Sequence, residues 1–305
     1  MPGAIESVGT EVHGGGPLRK GGAVTLTVRA GKKALKRAMI GPGDLGLLVN
    51  SSVYKDENIG EPALASFIQR EIGADPPMDG TRSVFSFDVL DGGCGLISGM
   101  EIASGFVSTG EIHYGLCVTA DVNPKPKYTR GYPFKDSAAA VVIGKARGEG
   151  GFMSFRHYEY TENLGDMRAN VVFQKDPKRN FLGIRRMRNI LDIVESDSYR
   201  ETAVRRSLSS LDIFLSERGL SLDDVDLLIP SQYPRALPRE LIRSSGIEAA
   251  RTVTLPDHYG PLYSSGPGFA LRYAMKKGVW KDAKSIIFLA VGPGIKVSLA
   301  HYVNP

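Results

Sequence analysis

One helix–loop–strand unit occurs twice in this chain, and the two copies keep a constant separation of 180 residues. Residues 35–49 read as the end of a helix, a short loop and a buried strand, and residues 215–229 repeat that order. Asp44 and Asp224 occupy the same place in the two loops. An apolar residue follows each Asp, one residue intervenes, and three aliphatic residues run together, which is typical of buried parallel strands. The repeat predicts a duplicated α/β unit.

A second pair of matched segments follows the first pair in the same order. Residues 95–110 and 268–278 have helical periodicity, end at a glycine suited to a helix C-cap, and lead to an apolar strand. Two matched pairs in one order favour duplication over chance, because single helix–loop–strand units are common. We predict an α/β fold of two similar halves, roughly residues 1–155 and 156–305, each a sheet flanked by helices.

The length of 305 residues suits this division, because a single core usually stops growing at roughly 250–300 residues. A content of 42% hydrophobic and 23% charged residues is ordinary for a soluble globular protein. The longest apolar runs, such as residues 286–291, are strand-sized, so we expect no membrane-spanning helix. The N-terminus lacks the basic start and apolar stretch of a secretory signal, and we expect a cytoplasmic protein.

Charge and cysteine content narrow the classes of ligand. Two cysteines and five histidines are too few for a disulfide framework or a zinc site. Neither a phosphate loop nor a dinucleotide fingerprint appears, so we expect no cofactor. The net charge of +5 suits an acidic partner or a phosphate-bearing ligand, and without a recognition motif it disfavours nucleic acid. One basic cluster could contact a coenzyme A phosphate or lie solvated on the surface: Lys178, Arg179, Arg185, Arg186 and Arg188.

Cys94 is the candidate nucleophile. The predicted strand of residues 87–90 is followed by a glycine-rich turn, and Cys94 falls at the start of the next helix. Free N–H groups and the positive end of the helix dipole favour a thiolate at such a position. A small buried cysteine without chemical function is the alternative, and Cys117, inside an apolar strand, is interpreted in that way.

Several motifs resemble those of one enzyme family in sequence and in order. They are the Asp-Gly-Gly-Cys turn at 91–94, Lys-Asp-Ser-Ala-Ala-Ala at 135–140, Asp-Val-Asp-Leu-Leu-Ile-Pro-Ser-Gln at 224–232, Tyr-Gly-Pro-Leu-Tyr-Ser-Ser at 259–265 and Val-Gly-Pro-Gly at 291–294. The chain resembles the ketoacyl-acyl-carrier-protein synthase III group of the thiolase superfamily. That resemblance implies a layered α-β-α-β-α fold and a dimer, either a homodimer or a heterodimer with a related synthase.

The resemblance also implies a mechanism, from which this sequence departs. Members use a Cys–His–Asn set, in which the cysteine takes an acyl group and the His and Asn support decarboxylative condensation. Here Ser231 stands at the His position and Pro261 at the Asn position. Serine is no base near neutral pH, and proline has no side-chain donor. Pro293 also removes an N–H from the final glycine turn, which leaves the amides of Gly294 and Cys94 as expected oxyanion donors.

His258 could compensate for the missing histidine. It follows Asp257, whose carboxylate could raise the pKa of the imidazole, and it lies three residues before the lost Asn position. A loop histidine that points elsewhere is the alternative. Basic residues that follow Ser231 could receive an acidic acyl carrier protein, or could simply form a solvated helix face: Arg235, Arg239 and Arg243.

Two functions fit these residues. The first is a cysteine-dependent acyltransferase that forms a thioester on Cys94 from acyl carrier protein or coenzyme A, in fatty-acid or specialised-metabolite synthesis, with decarboxylative condensation disfavoured. The second is a catalytically impaired partner subunit of an active synthase. Cys94 favours the enzyme, whereas Ser231, Pro261 and Pro293 favour the partner.

Overall fold

The computed structural model describes residues 1–13, 21–75, 84–175 and 187–305. The elements of the N-terminal part are β1 (Gly3–Val12), α1 (Ala23–Ala38), β2 (Leu45–Asn50), α2 (Leu64–Ile72), β3 (Phe85–Asp88), α3 (Gly95–Thr109), β4 (Tyr114–Asp121), β5 (Thr129–Arg130) and β6 (Ser137–Lys145). Those that follow are β7 (Gly151–Asn163), β8 (Met167–Lys175), β9 (Met187–Glu195), α4 (Tyr199–Ser216), β10 (Leu227–Pro230), α5 (Leu237–Ser245), α6 (Gly266–Lys277), α7 (Val279–Asp282), β11 (Ser285–Gly292) and β12 (Gly294–Val303). Within these ranges, every helix is too short or too polar to span a bilayer.

Two sheets share one topology. The first has the order β1–β6–β4–β2–β3 and the second β7–β12–β11–β10. In each sheet two parallel strands, β2 with β4 and β10 with β11, are followed by two antiparallel pairings. A parallel bridge between Leu228 and Thr252 stands where β3 pairs with β2 in the first sheet. The predicted duplication of the fold is confirmed.

The helices lie in three layers around the two sheets. Buried side chains of α3 and α6, such as Met100 and Leu271, pack in one apolar cluster with strands of both sheets. Side chains of α1 and α2, including Leu26 and Ile68, cover the outer face of the first sheet. Helices α4 and α5 cover the outer face of the second. This is the α-β-α-β-α arrangement that the resemblance implies.

The aspartates that reveal the repeat have the same structural role. Asp44 Oδ2 accepts a hydrogen bond of 2.7 Å from the backbone N–H of Gly41, and Asp224 Oδ2 accepts one of 2.8 Å from Ser221. Each carboxylate closes a short 3-10 turn that delivers the chain to the first parallel strand. Because this geometry requires a short acceptor three residues after the turn begins, both copies retain Asp.

A third sheet, in the order β5–β9–β8, lies outside the repeated unit. Strands β8 and β9 form an antiparallel pair after β7. The boundary that the sequence places between residues 155 and 156 stays a prediction. Strand β7 runs across that point and pairs with β12 from Gly151 to Asn163.

The predicted basic cluster falls mostly outside the described residues. Lys178, Arg179, Arg185 and Arg186 are not among them. Arg188 lies on β9, with its guanidinium carbon 5.5 Å from the centroid of the Tyr128 ring.

Candidate active site around Cys94

Cys94 lies where the two repeated units meet. A 3-10 turn, Gly92–Cys94, follows β3, and α3 begins at Gly95, so the cysteine is at the helix start, as the sequence predicts. The end of β11 packs directly onto this turn. A Cβ atom at Gly93 would clash with the carbonyl oxygen of Val291, and one at Gly292 would lie 3.6 Å from the Cys94 sulfur. The glycines therefore allow a strand of the second unit to touch Cys94 of the first.

The Cys94 sulfur is fully buried and is held mainly as a thiol. The sulfur lies 3.5 Å from the carbonyl oxygen of Ala290 and 3.6 Å from that of Lys296, and both oxygens are acceptors for its S–H. Burial, followed by the negative charge of Asp91, raises the pKa of the Cys94 thiol to about 12. Hydrogen bonds from Ser298 and the charge of Lys296 act in the opposite direction. The position at the start of a helix predicts a thiolate, but desolvation has the larger effect on the pKa and keeps Cys94 protonated.

An ion-paired lysine lies at the mouth of the site. Lys296 Nζ is 2.8 Å from Asp91 Oδ1 and 3.5 Å from Glu159 Oε1. Asp91 also accepts a hydrogen bond of 2.5 Å from the hydroxyl of Ser98. Although burial opposes it, the hydrogen bond and charge of Asp91 raise the pKa of Lys296. The lysine therefore carries a positive charge beside Cys94, and sequence reasoning missed it because no motif contains it.

The two expected oxyanion donors differ in availability. The backbone N–H of Cys94 donates a hydrogen bond of 3.0 Å to the carbonyl of Asp91, which closes the 3-10 turn. Gly294 begins β12 with a φ of +83° and pairs with Asn163. An oxyanion at Cys94 would have to compete with the Asp91 carbonyl for the amide proton. The oxyanion role of both amides stays a prediction.

Ser231 and Pro261 have backbone roles in this structure. The buried hydroxyl of Ser231 accepts a hydrogen bond of 3.1 Å from the N–H of Val291, and its own N–H donates to Leu289 at 2.7 Å. Ser231 thereby fixes the end of β10 to β11. The carbonyl of Pro261 accepts a hydrogen bond of 2.8 Å from the N–H of Lys135. Any chemical role of Ser231 stays a prediction.

His258 lies on an exposed 3-10 turn, Asp257–Tyr259. Its ring packs on Tyr259, with the centroids 4.5 Å apart, and its carbonyl accepts a hydrogen bond of 3.2 Å from the ammonium of Lys135. The charged groups that shift the pKa of Cys94 are Asp91 and Lys296. The role of His258 as a base stays a prediction.

The carboxylate of Asp257 faces arginines rather than the neighbouring imidazole. Arg235 is 2.9 Å from Asp257 Oδ1 and Arg239 is 3.6 Å from it. Arg243 pairs with Glu240 at 3.2 Å instead. All three arginine side chains are exposed, at and before α5, and each of them is paired with a carboxylate. The binding of an acidic carrier by these arginines stays a prediction.

A cavity of about 310 Å³ adjoins the turn that carries the cysteine. Asp91, Gly92, Pro293 and Lys296 line the side next to Cys94. The rest of the lining consists of Val53, Tyr54, Leu90, Met167, Arg168, Ala169, Tyr263 and Gly292. The third sheet thus closes this space, through the start of β8. A ligand bound there would lie next to the turn that carries Cys94.

A row of polar side chains extends from Cys94 towards the surface, and we call Ser298, His157 and Glu101 the polar row. Ser298 Oγ is 2.7 Å from His157 Nδ1, and His157 Nε2 is 2.6 Å from Glu101 Oε2. Sequence analysis gave His157 no role. No local signal could have found the row, because its members lie on α3, β7 and β12.

Comparisons with known proteins agree with the geometry. Models described as 3-oxoacyl-[acyl-carrier-protein] synthase III match residues 87–160 and, for its C-terminal part, residues 215–302. A β-ketoacyl-[acyl-carrier-protein] synthase III of Caldanaerobacter subterraneus is 26% identical over 277 residues, which is 88% of this chain and 80% of the relative. An acyl-CoA:acyl-CoA alkyltransferase of Xanthomonas campestris is 24% identical over 295 residues, 92% of this chain and 82% of the relative.

One solved structure shows the likeness in three dimensions. A variant of Xanthomonas campestris OleA with bound lauric acid and lauroyl-CoA superposes with a TM-score of 0.78 at 19% identity, covering 100% of this chain and 99% of the other. No cluster of three or more metal-ligating side chains occurs in the part of the chain that the structure describes.

Proposed function

Since this chain belongs to the 3-oxoacyl-[acyl-carrier-protein] synthase III family of acyl-transferring enzymes, we propose that it transfers acyl groups through a thioester on Cys94. The observation that carries this proposal is the position of Cys94, at the start of α3 beside a cavity of about 310 Å³. Attack of the sulfur on a thioester forms one C–S bond and breaks another, so the step needs a deprotonated thiol and a thiol leaving group, but no metal.

The proposed donor is an acyl-coenzyme A or an acyl-acyl-carrier-protein. Both names occur among relatives: one synthase III acts with acyl carrier protein, and an OleA structure holds lauroyl-CoA. The net charge of +5 and the arginines at and before α5 support an acidic or phosphate-bearing donor. We place the reaction in cytoplasmic fatty-acid or specialised-metabolite synthesis.

The proposed acceptor is an oxygen, nitrogen or sulfur nucleophile. Decarboxylative condensation requires stabilisation of an enolate, which in the family comes from the His and Asn side chains. In this chain Ser231 hydrogen-bonds the backbone of β11 and Pro261 offers a carbonyl that is already bonded to Lys135. Transfer to a preformed nucleophile makes no such demand, so it fits the residues that are present.

Intact-mass spectrometry after incubation with a panel of acyl-coenzyme A and acyl-acyl-carrier-protein donors tests this function. We expect one acyl adduct in the unmodified protein and in Cys117→Ala, and none in Cys94→Ala. Cys117 is the matched control because it is equally buried but lies within β4, whereas Cys94 follows Asp91 and Gly92 of the cavity lining in the same turn. Absence of an adduct with every donor would refute the proposal.

A second candidate is a catalytically impaired subunit that pairs with an active synthase. The commitment of the Cys94 amide to Asp91, the high pKa of the Cys94 thiol and the missing N–H of Pro293 favour it. We infer a dimer in either case: a homodimer for the enzyme and a heterodimer for the partner. Co-expression with a related synthase separates them, since activity that appears only in the mixture, and survives Cys94→Ala, would identify the partner.

A further inference from the structure

Cys94 has a high pKa and yet must lose its proton to act as a nucleophile, so the site needs a route for that proton. We propose that the polar row is a proton relay that takes up the thiol proton of Cys94 during acyl transfer. Its geometry supports this: both ring nitrogens of His157 are engaged, at 2.7 Å from Ser298 Oγ and 2.6 Å from Glu101 Oε2. The inference rests on the acyl-transfer function proposed above.

The strand register places the relay beside the sulfur. Ser298 on β12 pairs with His157 on β7 and with Ala290 on β11. Paired residues project to the same face of a sheet, and Ala290 packs in the apolar cluster that contains α3 and Cys94. Ser298 therefore faces the layer that contains Cys94, and its hydroxyl and main chain are among the groups that lower the pKa of the Cys94 thiol.

The hydrogen bonds fix the direction of proton movement. An ionised Glu101 can only accept, so His157 Nε2 carries a proton and Nδ1 of the neutral ring is the free base. Nδ1 then accepts the Ser298 O–H, and in the relay the Cys94 S–H turns from the carbonyl oxygens of Ala290 and Lys296 to the serine oxygen. This is the arrangement in which a carboxylate orients a histidine for general-base catalysis.

Acylation then proceeds with all atoms accounted for. The Cys94 proton passes to the Ser298 oxygen as the serine proton passes to His157 Nδ1, and the sulfur forms a bond to the acyl carbon. The donor's C–S bond breaks, and its thiolate receives the proton back from the imidazolium by the same row. In the charged intermediate, Ser298 donates to the sulfur and Glu101 stabilises the imidazolium.

Other charged groups face this row. Lys296 lies next to Ser298 on the same face of β12 and binds Asp91 and Glu159, which neutralise it. Glu101 comes from α3, and its side chain is 43% exposed against 26% for His157. The outer end of the relay therefore reaches solvent, where the proton can exchange.

The pH dependence of Cys94 alkylation by iodoacetamide tests the relay without an acyl donor. In the full-length unmodified chain, we expect rapid labelling at pH 7.5 and a rate that levels off towards high pH, because a positioned base already takes up the thiol proton. Ser298→Ala and His157→Gln should label at least about 100-fold more slowly at pH 7.5, with rates that climb steadily towards high pH. Ser298→Thr keeps the hydroxyl and should stay within about threefold.

His157→Gln is the decisive variant, because glutamine can hydrogen-bond Ser298 but cannot hold the proton. His301→Gln is the matched control: His301, on β12, is likewise a histidine bonded to a serine, Ser285, at 3.1 Å. It should leave the profile unchanged. A wild-type profile in folded His157→Gln, or no labelling of Cys94 between pH 6 and 9 in the unmodified chain, would overturn the relay.

The two proposals fail in distinguishable ways. The relay alone would be refuted if acyl adducts form on Cys94 and neither their rate of formation nor the alkylation profile changes in Ser298→Ala and His157→Gln. A relay-type alkylation profile without any acyl adduct would refute the acyl-transfer function and leave the relay standing.

Discussion

Replacing Asp121 with asparagine is expected to make the stability of the protein much less dependent on pH. Asp121 ends β4 and is completely buried, and it accepts hydrogen bonds from the N–H and hydroxyl of Ser264 at 2.8 and 2.7 Å. Those bonds join the two halves of the fold. Burial nevertheless dominates and raises the pKa of Asp121 from 3.8 to about 7, because the hydrogen bonds only partly replace hydration.

The sign and size of the effect follow from proton linkage. Between about pH 4 and pH 7 the folded chain keeps the proton on Asp121 while the unfolded chain has lost it, so the folded state binds more protons. The free energy of unfolding therefore falls as pH rises through this window. At 1.36 kcal/mol per pH unit, the Asp121 carboxyl lowers the free energy of unfolding by up to about 4 kcal/mol, and the full decrease is reached above pH 7.

Urea denaturation of the unmodified chain and Asp121→Asn, at pH 4.5 and pH 8, measures this term. Asparagine keeps the acceptor for Ser264, but its amide can be left without a partner, which costs about 1–3 kcal/mol at either pH. We therefore subtract the free energy of unfolding of the unmodified chain from that of the variant at each pH, and then compare this difference at pH 8 with the difference at pH 4.5. We expect the change between the two pH values to favour the variant by about 2–4 kcal/mol.

A matched substitution sets the baseline. Asp224 is exposed, and its hydrogen bonds to Ser221 lower the pKa of the Asp224 carboxyl, so its contribution is constant above pH 4.5. The free energy of unfolding of Asp224→Asn should differ from that of the unmodified protein by the same amount at both pH values. If Asp121→Asn does likewise, within about 0.5 kcal/mol, the reasoning about its burial is wrong.

Two further substitutions address the nucleophile and its turn. Gly93→Ala should destabilise the protein by about 2 kcal/mol or more, because the added Cβ would clash with the carbonyl oxygen of Val291. The control is Gly105→Ala, in an open position on α3, which should be neutral or stabilising by up to about 1 kcal/mol. Thermal unfolding measures both effects, and equal effects would contradict the close approach of Val291 to Gly93. Lys296→Met should slow iodoacetamide labelling of Cys94 at neutral pH by about tenfold, because the Cys94 thiolate loses the stabilising positive charge of Lys296. An unchanged rate would mean that Lys296 interacts only with the carboxylates of Asp91 and Glu159 and does not stabilise the thiolate.

The fold could be predicted from the sequence where the same local structure occurs in both halves and needs the same residue type in each. Asp44 and Asp224 close the same turn, so the same residue type appears at the same place, and the repeat is visible. The third sheet could not be predicted in this way, because β8 and β9 belong to neither copy. Its position beside the cavity, through Met167 and Arg168, had no local signal.

The candidate site was predictable only in part, for a physical reason. The helix-start position of Cys94 follows from the glycines around it, but its pKa depends on burial by strands almost 200 residues away. His157 and Ser298 are likewise joined by register across a sheet, although they are 141 positions apart in the sequence. By contrast, His258 was singled out for its neighbour in sequence, and that neighbour binds arginines.

The contacts of the Cys94 sulfur with Ala290 and Lys296 span 196 and 202 residues of chain. Such separations delay closure during folding, because the entropy of ordering the intervening loop must be lost before the contact forms. The helix that begins at Gly95 can form early from local interactions, with its cysteine still open to water. Burial of the Cys94 sulfur therefore requires the docking of the two halves, which places the completion of its surroundings late in folding.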